Sequence, residues 1–298
     1  MHFVSAKSIL TTRPCGMNIY RGCSHGCVYC DSRSKCYHFT HDFEDIEVKQ
    51  NAPELLEEAL RKKRKRCMIG TGSMCDPYIP IEKELCLTRR CLEIIDRYNF
   101  GAAVLTKSDL VLRDLDLLSS INKKAKAVVQ MTLTTADDEL CKILEPGVCP
   151  TSRRVQVLRE CKERGIPTVV WLSPLLPFIN DTRENIDAIA GFCAEAGVKA
   201  ILCFGIGLTL REGNREYFYA ALDRAALRDS RFAGMKERYQ KTYGYSYMAT
   251  SPRDKELMAR LARFCKESGI MLGTDSVFNW MEEFPAAAQG DPMQPELF

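Results

Sequence analysis

The chain has 298 residues, of which 46% are hydrophobic and 27% are charged. This composition is typical of a globular protein with a large core, and it excludes disordered, collagenous and fibrous classes. The 42 basic and 39 acidic side chains leave a formal net charge of +3, which is too small to indicate a general nucleic-acid-binding protein. The sequence has no apolar stretch near the roughly 18 residues of a membrane span, and it starts without the apolar segment of a secretory signal. We therefore expect a cytoplasmic protein with no membrane partner.

Strands are predicted where short apolar runs rich in β-branched residues precede a helical pattern. The runs are spaced by roughly the 30 or more residues of one βαβ unit, which indicates parallel strands joined by helices. In chain order, the strands are expected at residues 18–20, 68–69, 104–105, 128–129, 169–172 and 201–204, with a further short strand near Met271.

Start and stop signals flank the helices between these runs. Asn51 and Thr182 are expected to begin two helices. Glycines that directly precede an apolar run are expected to end others, namely Gly165, Gly197 and Gly269. Six β/α units predict an α/β fold, a partial (β/α)6 barrel, whose functional residues lie at the carboxyl ends of the strands. One domain is expected over residues 1–284, followed by a loose tail over residues 285–298.

Six consecutive basic residues, 61–66, end the first predicted helix. A nucleic-acid patch is one interpretation of this run. Glu57 and Glu58 lie four residues before Arg61 and Lys62, however, and cations are favoured at a helix carboxyl end. The pattern therefore favours a solvated helix face, and nucleic acid is the less favoured partner.

Cysteine is the unusual component, with 15 residues in the chain. Without a secretory signal the thiols should stay reduced, so clustered cysteines indicate metal ligands or catalytic groups. The strongest cluster is Cys23, Cys27 and Cys30, spaced C-x3-C-x2-C directly after the first predicted strand. A short loop with this spacing can wrap three thiolates around one face of an iron–sulfur cluster and leave the fourth iron open.

Zinc is the alternative metal that these three cysteines could bind, because four Cys or His ligands complete a structural zinc site. The candidates for the fourth ligand are Cys36, His25, His38 and His41. A zinc module is not expected to precede so many βα units, so the sequence favours the cluster.

The cysteine loop resembles that of the radical S-adenosylmethionine superfamily, which has an aromatic residue before the last cysteine, here Tyr29. The segments NIYRGCSHGCVYCDSR, GTGSMCDPYIPIE and LTKSDL are similar to the spore photoproduct lyase-like group of that superfamily, and the similarity runs over about residues 14–271. The resemblance implies a 4Fe-4S cluster on the three cysteines. S-adenosylmethionine would bind the open iron through its amino and carboxylate groups. An external one-electron reductant, such as flavodoxin or ferredoxin, would reduce the cluster. Cleavage would give methionine and a 5′-deoxyadenosyl radical that abstracts hydrogen from a substrate.

The resemblance also implies that strand ends contact S-adenosylmethionine. Small residues after the second predicted strand would let the backbone approach the methionyl part, although an ordinary glycine turn is the alternative. A lysine at the barrel mouth would pair with the carboxylate, unless it is merely solvated. The residues expected to bind the cofactor are Tyr29, Thr71, Gly72, Ser73, Lys107, Gln130 and Thr132, with Ser173 at the ribose and Phe204 and Gly205 at the adenine.

Two further cysteines are candidates for a catalytic role as hydrogen-atom donors to a product radical. In spore photoproduct lyase the donor lies shortly before an acidic residue, and alignment on Asp76 places Ser73 there, so that Cys75 is only a neighbour. Cys36 follows the cluster loop closely enough to reach the site. Both thiols could instead be packing or surface residues.

The substrate is not identified by these patterns. Repair of a nucleic-acid lesion is one hypothesis, and modification of a small molecule or peptide is the other, favoured by the low net charge. A third hypothesis, of a different class, is a non-catalytic iron–sulfur electron carrier or redox sensor. Detection of reductive cleavage of S-adenosylmethionine by the reconstituted protein would distinguish the two enzyme hypotheses from the electron-carrier hypothesis.

Overall fold

The computed structural model describes residues 1–11 and 15–285. Except for Pro285, the predicted loose tail lies outside the described residues. The structure has three sheets, whose strands are β1 His2–Val4, β2 Gly16–Met17, β3 Tyr20–Arg21, β4 Glu47–Lys49, β5 Met68–Thr71, β6 Gly101–Thr106, β7 Ala127–Thr132, β8 Thr168–Trp171, β9 Ala200–Leu202, β10 Gly207–Thr209, β11 Met248–Thr250 and β12 Met271–Leu272.

Helices connect most of these strands. The α-helices are α1 Ala52–Lys62, α2 Glu82–Leu85, α3 Leu87–Arg97, α4 Leu115–Lys124, α5 Asp138–Leu144, α6 Thr151–Glu163, α7 Arg183–Glu195, α8 Asn214–Ala226, α9 Met235–Tyr243, α10 Asp254–Ser268 and α11 Thr274–Glu282. Short 3-10 helices occupy Asp31–Arg33, Lys35–Tyr37, Asp109–Asp114 and Ser230–Phe232. In the described part of the chain, none of the helices combines the length and apolar character needed to cross a bilayer.

The main sheet has seven strands in the order β12-β9-β8-β7-β6-β5-β2, and every neighbouring pair is parallel. A helix lies in each connection between consecutive strands of this sheet. The two edge strands, β2 and β12, do not pair with each other. This architecture confirms the predicted partial α/β barrel with six β/α units, to which β12 adds a seventh strand.

The predicted position of the first strand is wrong. Gly16 and Met17 form the strand that pairs with β5, whereas Tyr20 and Arg21 pair antiparallel with β4 in a separate small sheet. Met17, Ile19 and Tyr20 are all about equally buried, at 1% exposure, so the apolar run continues after the chain has changed pairing partner. Hydrophobicity alone could not locate that change.

The helix signals agree well with the structure. Thr182 caps α7 by accepting a hydrogen bond from the Asn185 backbone N–H at 3.1 Å, and α1 begins directly after Asn51. The three glycines expected to end helices all have positive φ angles near 67°. In the basic run, Lys62 pairs with Glu58 at 2.5 Å across one helical turn, as expected of a solvated face.

The two faces of the main sheet are both buried. Its outer face packs against the helices in one large core, and its inner face packs against α11 through Val277 and Met281. Lys126, which precedes β7, donates a hydrogen bond to the Trp280 carbonyl at 2.5 Å. Helix α11 therefore closes the amino end of the barrel, and the carboxyl end is left to carry the candidate site.

Candidate active site

The three cysteines lie in the loop between β3 and the 3-10 helix at Asp31–Arg33. Their side chains line one cavity of about 100 Å³ at the carboxyl ends of the main-sheet strands. The other lining residues are His25, Tyr29, Ser32, Gly72, Ser73, Met74, Cys75, Asp76, Leu105, Thr106, Lys107 and Thr132. The fold thus brings the cysteine loop together with the residues predicted at three different strand ends.

The start of the cysteine loop is fixed by its contact with Phe43. Gly22 has a φ angle of +83°, and a Cβ atom there would lie 2.4 Å from the Phe43 carbonyl oxygen. The Cys23 backbone N–H donates to the same oxygen at 3.1 Å. Only glycine allows the chain to turn this close to Phe43, so Gly22 sets the position of the first thiol.

The middle of the loop is fixed by the segment that follows α5. The Val28 backbone N–H donates to the Leu144 carbonyl, and the Gly147 N–H donates to the His25 carbonyl, both at 2.9 Å. A Cβ atom at Gly147 would lie 2.6 Å from the His25 carbonyl oxygen. Residues 144–147 therefore form a backbone support for the loop that carries the second and third thiols.

A buried ion pair lies beneath this support. The Arg154 guanidinium contacts the Glu145 carboxylate at 2.5 Å, and both side chains have no solvent exposure. The other Glu145 oxygen accepts a hydrogen bond from the Tyr29 hydroxyl. Burial raises the pKa of the Glu145 carboxyl, and Arg154 opposes that shift. Arg154 also donates to the Thr132 carbonyl at 3.0 Å, so one side chain joins the end of β7 to the cysteine loop.

The thiols lie beside the ammonium of Lys107 and the imidazole of His25, which influence their pKa values. A hydrogen bond with Cys75 lowers the pKa of Cys23 to about 6. Burial raises the pKa values of Cys27 and Cys30, and the ammonium of Lys107 partly offsets that effect. Three thiols facing one cavity, with a lysine beside them, are a donor set that fits the anionic face of an iron–sulfur cluster.

Asp76 orders the other wall of the cavity. Its carboxylate accepts hydrogen bonds from the Thr106 hydroxyl and the Lys107 backbone N–H, each at 2.7 Å. His25 Nδ1 lies 3.5 Å from the same carboxylate. Asp76 therefore links the end of β6 to the cysteine loop and fixes the backbone from which Lys107 projects.

The small residues after β5 serve the fold as well as the cavity. Gly72 has a φ angle of +100°, and a Cβ atom there would lie 2.0 Å from the Leu105 carbonyl oxygen. The glycine is therefore required by the neighbouring strand, whatever binds in the cavity. Ser73 is exposed and lines the cavity beside it.

The interior of the barrel forms a second cavity of about 470 Å³ above α11. Thr71, Ser73 and Gln130 line it, so Ser73 borders both this interior and the cysteine cavity. Gln130 Oε1 accepts a hydrogen bond from the Trp171 indole N–H at 2.7 Å. The predicted residues of β5 and β7 thus line two neighbouring cavities that share Ser73 and Leu105 as wall residues.

A third cavity of about 430 Å³ lies at the ends of β8 and β9. The predicted residues Ser173, Phe204 and Gly205 all line it, and Phe204 is 51% exposed. Asp254 lies on its wall and accepts a hydrogen bond from the Ile206 N–H at 2.7 Å. These residues form a group separate from the cysteine cavity.

The structure separates Cys36 from the other candidate thiols. Cys36 is exposed, and its sulfur lies 3.2 Å from Arg211 Nη1 rather than in the cysteine cavity. Cys75, by contrast, is buried and lines that cavity. Of the candidate fourth zinc ligands, only His25 reaches the cavity, since Cys36, His38 and His41 lie outside its lining.

Sequence reasoning missed three residues that position the site. Asp76 served only to align the segment after the second predicted strand, which holds Ser73 and Cys75, and neither Glu145 nor Arg154 was predicted to have a role. Arg154 lies in the amphipathic helix α6, where an arginine is normally a solvated residue. The sequence does not indicate that Arg154 is buried, because its partner, Glu145, lies in the segment before α6 and not one helical turn away.

The chain is similar to known proteins in both sequence and fold. An uncharacterised protein of Mycobacterium tuberculosis is 30% identical over 70% of this chain, and one of Methanocaldococcus jannaschii is 35% identical over 57%. The chain spans 63% of the length of each of these relatives. Among solved structures, spore photoproduct lyase complexed with dinucleoside spore photoproduct superposes with a TM-score of 0.60. That match covers 91% of this chain and 80% of the lyase at 14% identity, which shows a shared fold.

The match to a family model covers the cysteine loop and four complete strands of the main sheet, β5 to β8. The model of the radical SAM superfamily matches residues 17–193, more than half of the chain. Members of this family are enzymes that use a 4Fe-4S cluster and S-adenosylmethionine, and the seven-stranded parallel sheet agrees with their partial-barrel fold. The chain belongs to the radical S-adenosylmethionine superfamily.

Proposed function

We propose that this chain binds a 4Fe-4S cluster through Cys23, Cys27 and Cys30 and uses it to cleave S-adenosylmethionine reductively. When bound, the cluster and S-adenosylmethionine supply an electron and a 5′-deoxyadenosyl radical that abstracts hydrogen from a substrate. The observation that carries this proposal is the convergence of the three thiols on one cavity at the carboxyl end of the barrel. Membership of the radical S-adenosylmethionine superfamily supports the view that these three thiols bind a 4Fe-4S cluster.

The residues around the thiols suit the binding of S-adenosylmethionine. Lys107 lies in the cavity, with its ammonium 5.9 Å from the centre of the Tyr29 ring, and would pair with the methionyl carboxylate. Ser73 borders both the cysteine cavity and the barrel interior, so a ligand that spans the two would pass its hydroxyl. The barrel wall around Gln130 and Trp171 would exclude water from the reacting groups.

Cys75 is the thiol best placed to act as a hydrogen-atom donor. It is 5% exposed, lines the cysteine cavity and hydrogen-bonds with Cys23. Burial raises the pKa of the Cys75 thiol, which keeps its proton and therefore its hydrogen atom in place. We assign this role to Cys75 in preference to Cys36, which is exposed beside Arg211.

The proposed activity is tested by product analysis on the full chain. The protein is purified without oxygen, reconstituted with iron and sulfide, reduced with dithionite and incubated with S-adenosylmethionine. We expect 5′-deoxyadenosine and methionine to accumulate, because a cluster held by Cys23, Cys27 and Cys30 would supply the electron that cleaves the sulfonium of bound S-adenosylmethionine. The control reaction contains S-adenosylhomocysteine, which has no sulfonium to cleave. A protein that cycles between oxidised and reduced states but forms no deoxyadenosine would be an electron carrier.

A further inference from the structure

A second group of metal-ligating side chains lies in the small sheet outside the barrel. His2 is on β1 and Glu47 on β4, and the two residues are direct partners in the parallel register of these strands. His41 comes from the loop that leads into β4. A potential ligand atom from each of the three side chains lies within 4.8 Å of the other two. None of the cluster cysteines belongs to this group.

Hydrogen bonds fix the tautomers of both histidines. His2 Nδ1 lies 3.0 Å from the Asp45 carboxylate, and His41 Nδ1 lies 2.9 Å from the Asp42 carbonyl oxygen. Carboxylate and carbonyl oxygens only accept hydrogen bonds, so each Nδ1 carries the proton and donates it. Each Nε2 then keeps a lone pair. Metal-binding histidines in proteins are oriented in this way, with the second nitrogen donating to a carboxylate or a carbonyl.

The free nitrogen of His41 is without a partner. His41 Nε2 is buried and makes no hydrogen bond, although Glu47 Oε2 lies 3.7 Å away. The exposed fractions of the His41 and Glu47 side chains are 16% and 18%, so water does not readily satisfy that nitrogen. A buried polar atom without a partner is costly, and a cation between the imidazole and the carboxylate would remove that cost.

Arg21 is the charged group that competes for this carboxylate. Its Nη1 lies 3.6 Å from Glu47 Oε2, while its Nη2 donates to the carbonyl oxygens of Tyr37 and His38 at 2.9 and 3.1 Å. The guanidinium is therefore held mainly by the backbone of the neighbouring loop. The oxygen that it faces, Glu47 Oε2, is also the one nearest to His41 Nε2, so a bound cation would displace this contact while the two backbone carbonyls still hold the guanidinium.

We propose that His2, His41 and Glu47 bind Zn²⁺, with a water molecule as the fourth ligand. Two imidazoles and one carboxylate are a common zinc donor set. Bonds of about 2.0–2.1 Å in a tetrahedral site separate the ligand atoms by about 3.4 Å, and the three side chains offer potential ligand atoms within 4.8 Å of one another, so they would need to move closer on zinc binding. His2 is 40% exposed, which gives the ion a path from solvent.

The proposed ion would join strand β1 to the loop before β4. That loop contains Phe43, whose carbonyl oxygen accepts the hydrogen bond from the Cys23 N–H. The zinc would therefore stabilise the segment against which the cysteine loop turns. It is not a cluster ligand site, and its existence does not depend on cleavage of S-adenosylmethionine.

The zinc site is tested on the full chain with its cluster reconstituted and without an added amino-terminal tag. One equivalent of ZnCl₂ is added, free metal is removed, and zinc and iron are measured separately by mass spectrometry. We expect about one zinc per chain, and zinc-edge X-ray absorption should show only nitrogen and oxygen ligands at roughly 2.0–2.2 Å. His41→Gln and Glu47→Gln should each weaken zinc binding at least about 100-fold in chelator competition. Iron content should be unchanged.

His38→Asn is the matched control. His38 is an exposed histidine of the same segment, with a positive φ of 53° that asparagine tolerates, and it should bind zinc as the unchanged chain does. The proposal is overturned if both glutamine variants keep the affinity for zinc. It is also overturned if the chain binds no zinc, or if the absorption spectrum shows sulfur at about 2.3 Å, the distance of a cysteine ligand.

Discussion

Replacement of any one of Cys23, Cys27 or Cys30 with alanine should abolish both cluster binding and formation of 5′-deoxyadenosine. We propose that these three thiols of the cavity hold the cluster, which would supply the electron for cleavage of S-adenosylmethionine. We expect deoxyadenosine formation to fall at least about 1000-fold, with iron content reduced in parallel. Circular dichroism should show a folded barrel, because Cys23 only borders the main core and Cys27 and Cys30 belong to the second, smaller cluster outside the sheet.

Two other cysteines provide the controls for that result. Cys36→Ala should keep iron content and cofactor cleavage, since this thiol is exposed outside the cavity. Cys75→Ala should also keep both, but with the true substrate it should uncouple deoxyadenosine from product, because the thiol hydrogen is missing. Full iron loading in all three ligand variants would contradict the cluster assignment. Normal product yield from Cys75→Ala would remove that thiol from the mechanism.

Arg154→Met should lower the free energy of unfolding by about 3–5 kcal/mol, because it leaves the buried carboxylate of Glu145 without its cation. Reconstitution of the cluster should suffer as well, since Glu145 accepts the hydrogen bond of Tyr29 in the cysteine loop. Urea denaturation of the anaerobic protein measures the first effect and iron content measures the second. Adding Glu145→Gln to Arg154→Met should restore at least about 1 kcal/mol, as the unpaired charge is then gone.

The neighbouring arginine is the matched control for this prediction. Arg153 pairs with Asp109 at 2.9 Å on the surface, where its side chain is 35% exposed. Exposed ion pairs contribute about 0–1 kcal/mol, so Arg153→Met should change stability by no more than that. Equal losses in the two variants would show that Arg154 has no special role beneath the cysteine loop.

The sequence predicts the barrel well because its strands are buried on both faces. Each of β5 to β9 is a short apolar run between two helices, so the hydrophobic pattern and the spacing of these runs along the chain are enough to predict the strands. The first strand was misplaced because Met17 and Tyr20 are equally buried in different sheets. Helix α11, which closes the barrel, has no feature in the sequence that distinguishes it from a surface helix.

The three proposed ligand cysteines can be picked out from the sequence because they are close together in one loop. The residues that hold the loop cannot be, because they are brought in from distant segments by pairwise contacts. Asp76, which follows β5, accepts a hydrogen bond from the backbone N–H of Lys107, which follows β6. Glu145 precedes α6 and forms an ion pair with Arg154 in that helix. Such pairs depend on tertiary geometry, and no spacing rule along one chain reveals them.

The electron paramagnetic resonance spectrum of the reduced cluster, recorded with and without S-adenosylmethionine, tests the central claim most directly. Three cysteine ligands leave one iron open, so stoichiometric cofactor should change the spectrum of the full chain by binding that iron. A Lys107→Met variant, which lacks the ammonium beside the thiols, should need more cofactor to produce the same change. An unchanged spectrum at saturating S-adenosylmethionine would mean that the chain itself ligates every iron, and it would contradict the proposed function.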